Sequence, residues 1–201
     1  MMATTHALAG LALAAGVAAA APELGTLPVV AAGVGGIAPD LDILGAHRRT
    51  LHFPVTLPLA TVPAVALALA VPGPETAALA LGLAAAALHS ASDVAGAGLE
   101  PRPWEGTAKR AVYDHVRGRW FAPRRWVRYD GAPEDLLLAA VLAVPSLVVF
   151  DGPVRTAVVA ALVVSIAYAA VRKRLFFVLE RLFAALPEDL SRFLPDHARE
   201  E

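Results

Sequence analysis

The feature that most constrains this fold is a set of six apolar runs that contain no charged residue, in a chain of 201 residues. The runs cover residues 7–22, 24–39, 53–74, 76–92, 136–150 and 156–171. A membrane-spanning helix needs about 17 to 25 residues, so several runs lie at the short limit. Helices made from them have almost no polar face, which a water-soluble bundle needs. The runs predict an all-α fold of about six short transmembrane helices, with a buried soluble bundle as the alternative.

The composition narrows the kind of chemistry. The chain is 57% hydrophobic and 17% charged, against about 25% charged residues in a typical soluble domain. It has no cysteine, which excludes disulfides, thiolate nucleophiles and cysteine-ligated zinc. The net charge of −1 gives no overall field that would attract nucleic acid. Any metal must therefore be held by histidine and carboxylate side chains.

The distribution of arginine and lysine predicts an orientation. The connections at residue 23, at 72–75 and at 151–155 are short and hold one base in total. The other connections carry the basic stretches 47–49, 102–128 and 172–174. An excess of arginine and lysine marks the cytoplasmic side. We therefore expect an integral membrane protein with both termini in the cytoplasm. The start lacks the positive region of a secretory signal peptide, so the first run is interpreted as a helix.

A single membrane domain with four parts is predicted. Helices that carry the candidate site occupy 1–95, a polar cytoplasmic loop 96–133, a helical hairpin 134–171 and an interfacial tail 172–201. The loop mixes Trp104, Trp120 and Trp126 with arginines, which suits lipid headgroups; a nucleic-acid surface is the alternative, but no binding motif supports it. The tail has one apolar stripe, which predicts a C-terminal amphipathic helix. A simple extension of the sixth helix explains that stripe equally well.

Histidines and aspartates collect on the predicted cytoplasmic side of the first four runs. His89 and Asp93 are four residues apart, so a helix would place both side chains on one face. The end of the second run, the start of the third and the start of the first meet the same side. Mixed imidazole and carboxylate groups suit zinc, or else manganese or iron. The predicted metal ligands are His6, Asp42, His52, His89 and Asp93.

Four neighbouring residues are predicted to assist the chemistry. Asp40 and His47 are candidates for a further ligand, a partner of a ligand or a proton acceptor. Arg48, together with Arg49, is placed to neutralise an anionic substrate oxygen. Each residue also has an ordinary interpretation. Asp40 and Asp42 could cap a turn, the arginines could serve topology alone, and a helical histidine often hydrogen-bonds a carboxylate.

The order of these motifs resembles a known family. The motifs are Thr5-His6, Pro39-Asp40-Leu41-Asp42, His47-Arg48-Arg49-Thr50-Leu51-His52 and His89 with Asp93. They resemble the membrane-bound metal-dependent hydrolases of the YdjM type (the DUF457 group), over about the first half of the chain. The family usually reads His-Arg-Gly-x-Thr-His-Ser, whereas this chain has Arg49 in place of the glycine and Phe53 after the last histidine. The motifs also match half of the pattern of helical zinc-dependent phospholipases C, whose second His-x-x-x-Asp is missing here.

The sequence therefore predicts a metal-dependent hydrolase at the cytoplasmic membrane face. Its expected cofactor is a divalent metal, with zinc preferred, and its partners are membrane lipid and a small-molecule or lipid ester or phosphoester. Two alternatives remain open, a transporter-like protein and a non-catalytic membrane scaffold. A Gly33-Val34-Gly35-Gly36 break in the second run is the feature that favours transport. The oligomeric state stays open.

Overall fold

The computed structural model describes residues 1–184, and this part of the chain is mostly helical apart from a long loop at 96–132. The α-helices are α1 (Ala3–Ala20), α2 (Leu27–Ile37), α3 (Thr56–Ala70), α4 (Pro74–Ser92), α5 (Pro133–Val149) and α6 (Gly152–Ala184). Short 3-10 helices lie at Pro22–Leu24, Ala38–Leu44, Asp93–Ala95 and Pro103–Glu105. Two strands, β1 (Tyr113–Asp114) and β2 (Arg119–Trp120), form an antiparallel hairpin in the loop before α5. The all-α prediction is confirmed.

Four of these helices are long and apolar enough to cross a membrane. The candidate spans are Ala3–Ala20, Leu27–Leu44, Pro74–Ala95 and Gly152–Val178. Helix α3 is apolar but has 15 residues, and α5 has 17. Large aliphatic side chains point outward, such as Leu69 at 78% exposure and Val148 at 79%. A surface this apolar is compatible with a membrane protein.

Small residues hold α1, α2 and α4 together at close range. Ala14 and Ala32 are fully buried between these helices. A Cβ added to Gly36 would lie 2.5 Å from the carbonyl oxygen of His6, and one added to Gly35 would collide with the backbone at Gly82. Helix α2 runs unbroken through all its glycines. The glycine-rich sequence thus serves close helix packing.

The second half of the chain packs around α1. Leu8 of α1 is buried against Ala139 and Ala143 of α5, and Val158 of α6 completes this cluster. Asp135, at the start of α5, accepts hydrogen bonds from the first residues of the chain, as described below. Helix α3 packs on α4 at the other side of the bundle. The start of α1 therefore lies at the centre of the helix group.

Helix α6 continues without a break to Ala184. Residues 172–184 are therefore an extension of the sixth helix, and the prediction of a separate amphipathic surface helix is wrong for them. Neither glycine nor proline interrupts the sequence between Val154 and Ala184. The loop 96–132 also contacts α6 beyond its apolar run, which ends at residue 171. Arg172 forms an ion pair with Asp130 at 2.8 Å, and Lys173 lies over the ring of Trp104. Residues 185–201 of the predicted tail lie outside the described residues.

Candidate metal centre

Helix ends and one loop bring the predicted site residues to one place. His6 lies in the first turns of α1, and His89 lies in the last turn of α4. Asp93 follows α4 directly, in the first position of a 3-10 helix. Asp40 and Asp42 lie in the 3-10 extension of α2, Ala38–Leu44, and His52 ends the loop before α3. Residues from distant parts of the sequence therefore converge, as the sequence predicts.

Four of these side chains form a compact group that could hold a metal ion. Asp40, His52, His89 and Asp93 each offer one ligand atom, and these atoms lie within 4.8 Å of one another. His89 Nε2 is 3.3 Å from Asp40 Oδ1 and 3.7 Å from Asp93 Oδ2. His52 Nε2 is 3.3 Å from Asp93 Oδ2 and 3.8 Å from Asp40 Oδ1. We call these four residues the quartet.

The hydrogen bonds behind the two quartet histidines aim both Nε2 lone pairs inward. His89 Nδ1 lies 2.6 Å from the carbonyl oxygen of Gly36, which can only accept, so Nδ1 carries the proton. His52 Nδ1 lies 2.8 Å from Asp42 Oδ2 and donates in the same way. Both Nε2 atoms are buried and make no hydrogen bond. Buried polar atoms normally have a partner, so this arrangement fits a cation at the centre of the quartet.

Asp42, a predicted ligand, lies outside the quartet and organises the loop. Oδ1 accepts a hydrogen bond from His47 Nδ1 at 2.8 Å, and Oδ2 accepts one from His52. The backbone nitrogens of Arg49 and Leu51 also donate to Oδ2. A carboxylate that orients a metal-binding histidine is a common partner in such sites. Asp40, which the sequence analysis named as a possible further ligand, offers the candidate ligand atom instead.

His6, also a predicted ligand, lies beside the quartet. Its ring stacks on that of His89, with ring centres 3.7 Å apart. Its Nε2 lies 3.0 Å from Asp93 Oδ1, the oxygen that points away from His52 and His89, and its Nδ1 lies 3.5 Å from Ser92 Oγ. His6 is thus positioned to orient Asp93 and to pack against His89.

Arg48 is buried below the quartet. Its Nε lies 3.3 Å from Asp93 Oδ2, and its Nη1 donates to the carbonyl oxygen of Ala97 at 2.6 Å. Its backbone has a φ of +57°, a conformation that costs free energy for a residue other than glycine. The backbone carbonyl of Arg48 accepts a hydrogen bond from Tyr113 at the hairpin. The hairpin therefore holds this strained residue, and with it the positive charge, next to Asp93.

The site opens toward the loop at Asp40 and His47. The Asp40 side chain is 22% exposed and that of His47 is 32% exposed, whereas His52 and His89 are fully buried. Exposed Arg49 lies nearby with its guanidinium over the Tyr113 ring, 4.6 Å from the ring centre. We call this partly exposed edge of the site, at Asp40 and His47, its mouth.

The field inside the site favours positive charge. Burial alone would lower the pKa of His52, but the hydrogen bond to Asp42 and the nearby carboxylate of Asp93 outweigh burial and raise this pKa to about 9. Without a cation, a proton on His52 thus compensates part of the carboxylate charge. The same field would hold a divalent ion.

The groups that orient the candidate ligands were not predicted from the sequence. The carbonyl oxygen of Gly36 fixes the tautomer of His89, and the carbonyl oxygen of Ala97 anchors Arg48. Backbone carbonyls carry no signal in the residue types. Ser92, which contacts His6, stands three residues after His89 and could have been noticed by that spacing alone.

The geometry defines a buried histidine and aspartate cluster able to bind a cation, at the ends of apolar helices. No family model matches the chain, and no curated protein or solved structure matches it either. Membership of the YdjM-type hydrolases therefore stays a prediction, which rests only on the sequence motifs of this chain.

Proposed function

We propose that this protein is a membrane-embedded, metal-dependent hydrolase of the YdjM type, which binds one divalent ion through Asp40, His52, His89 and Asp93. The substrate is an ester or phosphoester at the cytoplasmic membrane face. One observation supports the proposal above all others: two buried imidazole nitrogens without a hydrogen-bond donor face two carboxylates. Each buried polar atom left without a partner costs about 1 to 3 kcal/mol, and a bound cation would remove that cost.

The distances within the quartet favour a small ion with four ligands. A tetrahedral site with bonds of about 2.1 Å has edges of about 3.4 Å between its ligand atoms. The nitrogen-to-oxygen distances of 3.3, 3.3, 3.7 and 3.8 Å are close to that value. Two imidazoles and two carboxylates suit zinc, with manganese or iron as alternatives, better than magnesium or calcium.

The charges at the site also favour a bound cation. Three carboxylates, those of Asp40, Asp42 and Asp93, face two buried cationic groups. One is the guanidinium of Arg48, and the other is the Met1 amine, which donates to Asp93 Oδ1 at 3.0 Å. With neutral histidines, one negative charge remains without compensation. Buried carboxylates are stable only when they are paired or bind a cation, and a bound cation would offset this remaining charge.

The chemistry follows from what each residue would do around the ion. A divalent ion held here supplies Lewis acidity, which lowers the pKa of a coordinated water toward neutrality. Asp42 and the Gly36 carbonyl keep the two histidines in the tautomer that binds. Arg48 balances Asp93 and fixes its orientation. His47 is hydrogen-bonded through Nδ1 and lies at the partly exposed mouth, where its Nε2 can accept or donate a proton.

The proposal includes a membrane arrangement with six spanning helices and both termini in the cytoplasm. The basic loops support it, since residues 47–49, the hairpin region and residues 172–174 lie at the same end of the bundle as the quartet. Helices of 15 and 17 residues can span by thinning the bilayer locally.

Metal analysis and a hydrolysis assay together test the proposed function. The purified full chain should retain about one zinc per molecule, and it should cleave bis(p-nitrophenyl) phosphate or p-nitrophenyl acetate. Both zinc and activity should be lost with a chelator or in His89→Ala. The matched control is His115→Ala, because His115 lies outside the quartet and donates to the carbonyl oxygen of Arg49. Failure to bind added zinc would refute the metal site. Zinc binding without chelator-sensitive hydrolysis would refute the hydrolase.

A further inference from the structure

The 3-10 helix Ala38–Leu44 separates its acidic and aliphatic side chains. Asp42 is buried and Asp40 lies in the quartet, whereas Leu41, Ile43 and Leu44 are 57%, 66% and 91% exposed. Seven residues is long for a 3-10 helix. We call Leu41, Ile43 and Leu44 the aliphatic rim.

The winding of this helix places the rim at the mouth of the site. In a 3-10 helix, side chains three residues apart are eclipsed. Ile43 therefore lies on the same face as Asp40, the more exposed carboxylate of the quartet. Leu41 and Leu44 form the adjacent ridge. A substrate that reaches Asp40 passes these aliphatic groups.

The surroundings of the rim combine apolar surface with positive charge. Exposed Arg49 lies in the loop that also carries His47, and its guanidinium lies over the Tyr113 ring. The rim ends the candidate membrane span Leu27–Leu44, so it lies where apolar and aqueous phases meet. Three adjacent aliphatic side chains this exposed are costly in water. A ligand with an anionic head and an alkyl chain complements both features.

We propose that the site takes an anionic amphiphile, a long-chain phosphoester or phosphate monoester, whose alkyl chain lies on Leu41, Ile43 and Leu44 while its head reaches the quartet. The inference rests on the proposed function, since it names the substrate class of the same site. Binding energy from the chain would then position the polar head. A water-soluble phosphoester without a chain would use the quartet alone.

A chain-length series tests the rim without using activity. Hexyl, octyl and decyl phosphate are titrated calorimetrically into zinc-loaded protein in nanodiscs. We expect the affinity to rise about two- to fourfold per added methylene beyond partition into the bilayer. The variant Leu41→Ser/Ile43→Ser/Leu44→Ser in identical nanodiscs measures that partition. Leu44→Ser alone, at a side chain with almost no contacts to lose, should give an intermediate slope.

The matched control is Leu69→Ser, since Leu69 is similarly exposed but ends α3 near the opposite end of the bundle. Its slope should equal that of the unchanged protein. If affinity rises equally with chain length in the unchanged protein and in both rim variants, the rim does not bind the alkyl chain. The proposed zinc binding and hydrolysis would be unaffected by that result. A rim-dependent slope in a protein that hydrolyses neither bis(p-nitrophenyl) phosphate nor p-nitrophenyl acetate would support the role of the rim and refute the proposed function. If the triple variant does not fold, the dependence of affinity on chain length in Leu44→Ser tests the role of the rim.

Discussion

Two buried aspartates, Asp135 and Asp93, lie at neighbouring helix ends and have different surroundings. Asp135 accepts hydrogen bonds from the Met2 nitrogen at 2.8 Å, from Thr5 Oγ1 at 2.7 Å and from the Gly131 nitrogen at 3.0 Å. All three groups are donors, so this carboxylate is satisfied within the protein. Asp93 also has donors, since its Oδ1 accepts from the Met1 amine at 3.0 Å and its Oδ2 lies 3.3 Å from Arg48 Nε. Its Oδ2 differs in facing the Nε2 atoms of His52 and His89, which have no hydrogen-bond partner.

The difference separates a structural carboxylate from a candidate ligand. The donors around Asp135 match its oxygens and tie the start of α1 to the start of α5, so this network needs nothing further. Beside Asp93, two imidazole nitrogens have no donor, and a cation or added protons would satisfy them. Burial alone therefore does not mark a site. What marks it is the surplus of lone pairs pointing to one place.

The largest effect is expected from Asp135→Ala. This change leaves the Met2 nitrogen, the Thr5 hydroxyl and the Gly131 nitrogen without their acceptor, which should lower the free energy of unfolding by about 3 kcal/mol or more. Thermal unfolding in detergent, followed by tryptophan fluorescence, measures it. Zinc stoichiometry of the folded fraction should be unchanged. An unaltered melting temperature would contradict the assignment of Asp135 as a structural group.

The reverse outcome is expected from His89→Gln. Loss of one ligand should weaken zinc binding by at least about 100-fold, measured by competition with a zinc chelator of known affinity. The melting temperature of the zinc-free protein should fall less than in Asp135→Ala, because the imidazole Nε2 had no partner to lose. If zinc affinity stays the same, His89 is a core histidine.

A smaller effect on the same site is expected from Asp42→Asn. The amide keeps the shape but weakens the hydrogen bonds that orient His52 and His47, so zinc affinity should fall about 10- to 100-fold with stoichiometry retained. The competition assay above measures this fall. A complete loss of zinc would mean that Asp42 is itself a ligand, as the sequence alone suggested.

The smallest effect is expected at the surface pair of Arg128 and Glu134. Hydrogen bonds from Arg128 lower the pKa of Glu134 to about 2. A carboxyl whose pKa is lower in the folded state stabilises the fold above about pH 4.5, and this contribution is lost as the pH falls toward 2. Solvent screens the pair, so Glu134→Gln should barely change the melting temperature at pH 7. A drop comparable to that of Asp135→Ala would show that exposure is a poor guide here.

The helices were predictable because charge-free runs leave few other folds. Their ends were less so, since proline and glycine start α4 and α6 earlier than the runs suggest, and α6 continues past Arg172 through a stretch that an interfacial helix would explain equally well. The spacing of His89 and Asp93 correctly placed both on one side of α4.

The choice between Asp40 and Asp42 could not be predicted. Two aspartates separated by one residue look alike in sequence, and only the 3-10 winding turns Asp40 into the quartet and Asp42 toward His47 and His52. His6 is a similar case. The sequence predicted that His6 lies near His89 and Asp93. It could not predict that the His6 ring stacks on His89, because that depends on how closely α1 and α4 pack.

Gly36 has two roles that no other residue type could combine. Its missing side chain lets α1 approach to within contact of α2, and its carbonyl oxygen holds His89. The separation of the helices and the ligand geometry thus share one determinant. Under the proposed function, an ion with longer bonds would therefore require α2 and α4 to move apart together, and exchanging one ligand alone would not change the metal preference.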